Sequence, residues 1–320
     1  MIQLEAVQKH YPLQAGFFAR EDQKVYAVND VTLTVQPGEI YGLVGESGCG
    51  KTTTARLLVR MERLTAGRIT FHSRNGQRFD LPGIAKQDLR QLRSRIRYVF
   101  QDPARSLNPR LEIRDILLSG YRYSPLWPGR QEAERQAREL IQEVGLKAAD
   151  LDRRPADFSG GQRQRISIAR ALITQPEVLV CDEVVSALDV SIQGQILNLL
   201  LRLRRERGLT MVFIAHDLAV VGYVSDRIGV MYRGVLVEEA PAQRLMDSRY
   251  HPYTQYLFDA LPVLAAPGVG GSPPGGPVIT AGESPFSRRA DPTENPVTSE
   301  SDRRMEEPAP GHRVSRMFQI

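Results

Sequence analysis

The chain has 320 residues, 42% of them hydrophobic and 25% charged, with 42 basic against 37 acidic side chains and a net charge of +5. That composition excludes a disordered chain, and two cysteines, Cys49 and Cys181, are too few for a disulfide scaffold and indicate a reducing compartment. The mild positive charge permits contact with an anionic membrane surface or nucleic acid and argues for neither, and the length suits about two domains.

Residues 2–7 alternate and predict a strand. Residues 10–24 form a polar insertion with Pro12 and Gly16, expected as a loop. Residues 26–35 return to strand character, and Pro37-Gly38-Glu39 turns the chain into the apolar run 39–44, expected as a buried strand. Gly45-Glu46-Ser47-Gly48-Cys49-Gly50-Lys51-Thr52 follows, and residues 53–59 read as a helix. Gly, four residues, then Gly-Lys-Thr, between a strand and a helix, is the phosphate-loop pattern. Small residues let backbone N–H groups close around phosphate oxygens at a helix N-terminus, where the dipole favours negative charge. Lys51 is placed to reach the β- and γ-phosphates, and the Thr52 hydroxyl to ligate Mg²⁺. The opening strands predict a small antiparallel layer beside this nucleotide site, and Tyr11 and Tyr26 are both candidates to stack on an adenine ring.

Segments 68–71 and 97–100 read as strands, the second ending at Gln101-Asp102-Pro103. A glutamine at a strand's end can orient water or touch a metal ion. From 103 to 157 the texture turns helical, with pieces at 111–118 and 131–144 and Gly145 at a C-cap position. This predicts a helical subdomain inserted into an α/β core. Ser159-Gly160-Gly161-Gln162 opens a helix expected over 160–173, with Ser159 as N-cap and Gln162 completing a capping box. Two glycines there allow a second molecule's phosphate to approach the backbone.

In the stretch 177–183 the continuous apolar run predicts a strand buried on both faces, ending at Asp182-Glu183. Asp182 is expected to hold a metal ion through water, and Glu183 to act as general base on the attacking water. Ser186-Ala187-Leu188-Asp189 leads to a helix over 192–205. A strand over 209–215 ends at His216, a candidate for contact with a γ-phosphate. Residues 227–231 and 235–238 read as a hairpin around Arg233-Gly234. After Pro262 the chain is rich in Pro and Gly, with a linker-like stretch at 267–277, and 263–320 is expected to be poorly ordered or weakly docked. Residues 1–262 are expected to form one nucleotide-binding domain.

The order of these motifs resembles the ATP-binding subunit of ABC transporters over about residues 2–262. Residues 45–52 match the Walker A motif, Gln101 the Q-loop, Ser159 to Gln162 the signature, Asp182 the Walker B aspartate, Glu183 the catalytic glutamate, Asp189 the D-loop and His216 the switch histidine. The resemblance implies an α/β P-loop ATPase with a mostly parallel sheet, an N-terminal antiparallel layer and an inserted helical subdomain. It implies two ATP molecules sandwiched between two subunits, each held by residues 45–53 of one and 159–162 with Asp189 of the other. Mg²⁺ would be held by Thr52, Gln101 and Asp182, with Glu183, His216 and Gln101 as the hydrolytic group.

Within the family the chain is most similar to the second ATPase subunit of oligopeptide and dipeptide importers. The carriers of that match are Gln101-Asp102-Pro103-Ala104-Arg105-Ser106-Leu107-Asn108-Pro109, Ser186-Ala187-Leu188-Asp189-Val190-Ser191 and His251-Pro252-Tyr253-Thr254-Gln255. The partners implied are a second ATP-binding subunit (a heterodimer favoured), two transmembrane permeases and an extracytoplasmic solute-binding protein, with no nucleic acid. An importer of nickel, an opine or another small solute is the alternative; a soluble ATPase acting on DNA or ribosomes fits less well. Ser284-Pro285-Phe286-Ser287-Arg288-Arg289-Ala290 resembles a Cys-Pro-Phe-x-x-Arg-Cys segment without its cysteines, so no iron–sulfur cluster is expected in the tail. Val184-Val185 stands where Pro-Thr is frequent. Residues 1–5 lack a basic-then-apolar leader and no run approaches ~18 apolar residues. The expected place is therefore the cytoplasmic face of the membrane, as a peripheral subunit.

Overall fold

The computed structural model describes residues 1–12, 24–259, 305–315 and 317. The chain opens with β1 (Ile2–Pro12), β2 (Lys24–Val35) and β3 (Ile40–Val44), and then α1 (Lys51–Leu58). β4 (Ala66–His72), β5 (Arg78–Asp80), α2 (Lys86–Arg95) and β6 (Ile96–Val99) follow. Next come α3 (Pro103–Ser106), α4 (Ile113–Arg122), α5 (Arg130–Glu143) and two 3-10 turns before α6 (Gly160–Leu172). β7 (Val178–Asp182), α7 (Val190–Arg207), β8 (Thr210–Ile214) and α8 (Leu218–Val224) lead to β9 (Arg227–Tyr232) and β10 (Val235–Pro241). The end comprises α9 (Ala242–Asp247), α10 (Pro252–Asp259), β11 (Met305–Ala309) and β12 (His312–Ser315).

Two sheets result. The larger has the order β11-β12-β10-β9-β3-β8-β7-β6, and its strands from β9 to β6 are mutually parallel. The smaller, β2-β1-β4-β5, is antiparallel. Every residue of β3, β7 and β8 is buried, which is why these strands are almost wholly apolar, with Asp182 and Thr210 at strand ends: both faces are covered. Alternate side chains enter two cores. Leu179, Cys181, Met211 and Phe213 pack against the helices, including Leu140 of α5, Leu172 of α6 and Leu200 of α7. Val178, Val180, Val212 and Ile214 pack toward the small sheet, against Leu4, Ile69 and Phe71. Each such side chain contributes about 1.5–3 kcal/mol by leaving water.

Three expectations change. β1 extends through Pro12 and pairs with β2 as far as Pro12↔Lys24, so the segment read as a loop from residue 10 begins as hairpin arms; residues 13–23 lie outside the described part. The short helices α2, α8, α9 and α10 are additional. The C-terminal segment is not simply a weakly docked tail: β12 pairs antiparallel with β10, Glu238↔Val314 and Glu239↔Arg313, and β11 pairs with β12. His312 and Ser315 are buried there. The linker at 267–277 and the segment 284–290 lie outside the described residues. Among the described residues no helix is long and apolar enough to cross a membrane.

Candidate functional site

Residues 45–52, Gln101, Asp182, Glu183 and His216 lie at or just beyond the ends of the parallel strands β3, β6, β7 and β8. Residues 45–50 follow β3 directly, and α1 starts at Lys51 with Gly50 as an N-cap that supplies no side-chain bond. The first N–H groups of a helix have no acceptor within it, so the start of α1 presents donors to an anion. Gly50 has φ of 107°, and a Cβ there would lie 2.1 Å from the Ala27 carbonyl oxygen, so any side chain displaces the loop. The loop is pinned from β9 and β10 as well: Gly234 N–H donates to the Cys49 carbonyl at 2.9 Å. The Lys51 ammonium is buried inside the loop and donates to the Gly45 and Glu46 carbonyls at 2.7 and 2.8 Å. Both cysteines are free and buried, and burial pushes both thiols up, so neither is a reactive thiolate.

The Thr52 hydroxyl donates to Asp182 Oδ1 at 3.2 Å, joining the start of α1 to the end of β7. Tyr98 of β6 donates to the other carboxylate oxygen. Burial and that carboxylate push the Tyr98 phenol well above its usual range, so it stays a donor. A hydroxyl and a carboxylate of hard oxygens converging beside a phosphate loop form a donor set that suits Mg²⁺.

Glu183 N–H donates to Ile214 of β8 at 2.9 Å, but its φ of 49° is left-handed, which costs a non-glycine residue about 1–2 kcal/mol. The twist takes its side chain off the strand's alternation. There Glu183 Oε2 accepts from Gln101 Nε2 at 2.6 Å, and Oε1 lies 3.9 Å from His216 Nδ1. Three residues far apart in the chain therefore meet at one carboxylate.

Ser159 caps α6 with both bonds of the capping box: its N–H donates to Gln162 Oε1 at 3.0 Å and its hydroxyl accepts from Gln162 N–H at 3.4 Å. Ser159, Gly160 and Gln162 are exposed. A Cβ on Gly161 would meet Ile192 at 2.6 Å, so glycine lets α6 approach α7. Asp189 is exposed at the start of α7 and makes no capping bond. Among the described residues, the helix start at 159–162 makes no hydrogen bond to the loop at 45–52. Tyr11 lies beside Thr53 of α1 with its hydroxyl bonded to Glu62; burial, then that bond, raises its phenol to about 12. Tyr26 packs on His10, ring centroids 5.8 Å apart.

Sequence reasoning missed three holding residues. Tyr98 sat in a strand with no pattern to single it out. Gln193 fixes the turn before α7 through the Val185 and Leu188 carbonyls, at 3.0 and 2.9 Å. Tyr253, within a stretch noted only for its resemblance, accepts from Glu46 N–H at 3.0 Å.

Residues 28–186 match the family model described as ABC transporter. A probable peptide ABC transporter ATP-binding protein of Sinorhizobium fredii (strain NBRC 101917 / NGR234) is 46% identical over 82% of this chain and 73% of that protein. The oligopeptide transport ATP-binding protein AppF of Bacillus subtilis (strain 168) is 40% identical over 98% of this chain and 96% of its own length. Among solved structures, a dimeric ATP-binding cassette in a post-hydrolysis state with ADP and phosphate is 27% identical, superposes with a TM-score of 0.64, and is matched over 76% of this chain and 99% of that one. With a phosphate loop, paired carboxylates at a buried strand end and a relative 40% identical across nearly its whole length, the chain belongs to the ABC transporter family, as an ATP-binding and ATP-hydrolysing subunit.

Proposed function

We propose that this chain powers uptake of peptides through a membrane ABC importer, from its cytoplasmic face. The meeting of Gln101, Glu183 and His216 beside the phosphate loop carries the hydrolytic part of the reading. The names of the peptide-transport relatives support the cargo. In this reading residues 45–53 hold the phosphates of ATP and Tyr11 flanks the adenine. Ser159 to Gln162 and Asp189, exposed and apart from the loop, serve the nucleotide of a second ATP-binding subunit. A heterodimer is favoured, with two permeases and an extracytoplasmic binding protein completing the assembly. Glu183 takes a proton from the attacking water, Gln101 holds the carboxylate's second oxygen, and His216 faces the γ-phosphate. Thr52, Asp182 and Gln101 would hold Mg²⁺, which supplies charge neutralisation at the phosphates. Tyr98 keeps Asp182 aimed; Tyr98→Phe is expected to raise the Mg²⁺ concentration needed for half-maximal ATPase about tenfold, read from a Mg²⁺ titration.

The membrane partner has a fitting groove of ≈ 490 Å³, lined by Met61, Phe100, Arg97 and Arg170 beside Gln101. Burial, then the neighbouring Arg170, lowers Arg97 to about 10. Three arginines, Arg93, Arg97 and Arg170, in a partly apolar groove suit an amphipathic helix bearing carboxylates. Arg97→Glu is expected to leave nucleotide binding intact and to lose co-purification with the permeases. The test of the whole reading is a pull-down of tagged full-length chain from detergent-solubilised membranes with mass spectrometry. Two multi-span permeases and a second ATPase are expected; ribosomal or DNA-repair proteins without membrane partners would overturn it.

A further inference from the structure

A continuous set of buried and partly buried bonds runs from the C-terminal hairpin to the phosphate loop. The Gly45–Glu46 peptide is held on both sides: its N–H donates to the Tyr253 hydroxyl at 3.0 Å, and its carbonyl accepts from Lys51 Nζ at 2.7 Å. A peptide is planar, so turning one group turns the other. Tyr253 is fully buried and its ring lies 4.3 Å from that of Tyr232. Its own N–H donates to His251 Nδ1 at 3.1 Å. That bond fixes Nε2 as the protonated nitrogen, and Nε2 donates to the Met317 carbonyl at 2.6 Å. Burial lowers the His251 pKa, in keeping with a neutral ring.

The same corner rests on Glu238, a carboxylate with no exposure. It accepts from the N–H groups of Tyr250 and His251 at 3.0 and 3.2 Å and pairs with His312 Nε2 at 2.6 Å. A buried carboxylate persists only with such donors around it. His312 belongs to β12, and Met317 follows it. The neighbouring Glu239 is bonded to Arg313 of the same strand at 2.8 Å. The hairpin thus supplies partners to both ends of the segment that places Tyr253.

We propose that Tyr253 is a positioning residue of the ATP site, and that the C-terminal hairpin β11–β12, through Glu238, His251 and Met317, sets its place and thereby the loop's affinity for nucleotide. The proposal rests on residues 45–52 being the ATP-phosphate site. Tyr253 touches no reacting atom in this scheme; it orients the peptide whose carbonyl anchors Lys51.

The test uses full-length chain, titration with a fluorescent ATP analogue, steady-state ATPase and thermal melting. Tyr253→Phe keeps the ring and removes the acceptor. It is expected to raise the nucleotide Kd about tenfold, with kcat at saturating ATP within about twofold and a melting transition retained. A purely structural role would instead lower the melting point and leave the affinity of the folded fraction unchanged. His312→Ala is expected to raise Kd in the same direction, and His312→Gln, which retains a donor, to restore it. If His312→Ala does not fold, Arg313→Ala replaces it as the hairpin variant. Wild-type Kd in Tyr253→Phe while Lys51→Ala loses binding overturns the proposal alone. A raised Kd in Tyr253→Phe with none in the hairpin variant overturns the hairpin's part. Wild-type binding by Lys51→Ala overturns the reading of residues 45–52 itself.

Discussion

Glu183→Gln is expected to bind ATP as the unmodified chain does and to lose about 10²- to 10⁴-fold in turnover. The substitution keeps an oxygen to accept from Gln101 Nε2, which now lies 2.6 Å from the carboxylate, so the local shape survives. An amide has no basic oxygen for the water's proton. Nothing in the phosphate loop changes, because Thr52 and Lys51 bond to Asp182 and to loop carbonyls rather than to Glu183. Phosphate release and nucleotide titration on one preparation separate the two quantities. Unchanged turnover would refute Glu183 as the general base and move attention to His216, the other proton acceptor at that carboxylate.

Lys51→Ala is expected to act earlier, on binding itself. The ammonium is 4% exposed and makes two carbonyl bonds within the loop. Charge-assisted bonds to phosphate oxygens are worth about 1.5–3 kcal/mol each, so nucleotide affinity is expected to fall about 10²-fold. A melting curve distinguishes this from unfolding. Retained affinity would mean that the backbone donors at the start of α1 suffice without the lysine.

The buried strands were readable because both their faces are covered, so β3, β7 and β8 appear as unbroken apolar runs bounded by glycine, proline or acidic residues. The phosphate loop was readable because its glycines answer a backbone demand that no other residue meets, as the 2.1 Å approach at Gly50 shows. The convergence of Gln101, Glu183 and His216 came only from a resemblance; no local pattern reports that the ends of three different segments share a corner. The C-terminal hairpin was illegible for a different reason. β11 reads Met-Glu-Glu-Pro-Ala, with charges and a proline that suit an edge strand but signal no core. β10, on which β12 pairs, carries Glu238 and Glu239, which look like a solvated end and are fully buried. Their partners lie 74 residues further along the chain, beyond the reach of any periodicity.

Peptide uptake itself is the most direct measurement. Radiolabelled di- and oligopeptides would be offered to host cells carrying the chain, cells lacking it, and cells carrying Glu183→Gln at equal abundance. Uptake confined to the first is the predicted result. Equal peptide uptake by all three would contradict a peptide-import ATPase, leaving an ATP-hydrolysing cassette with another cargo or another task.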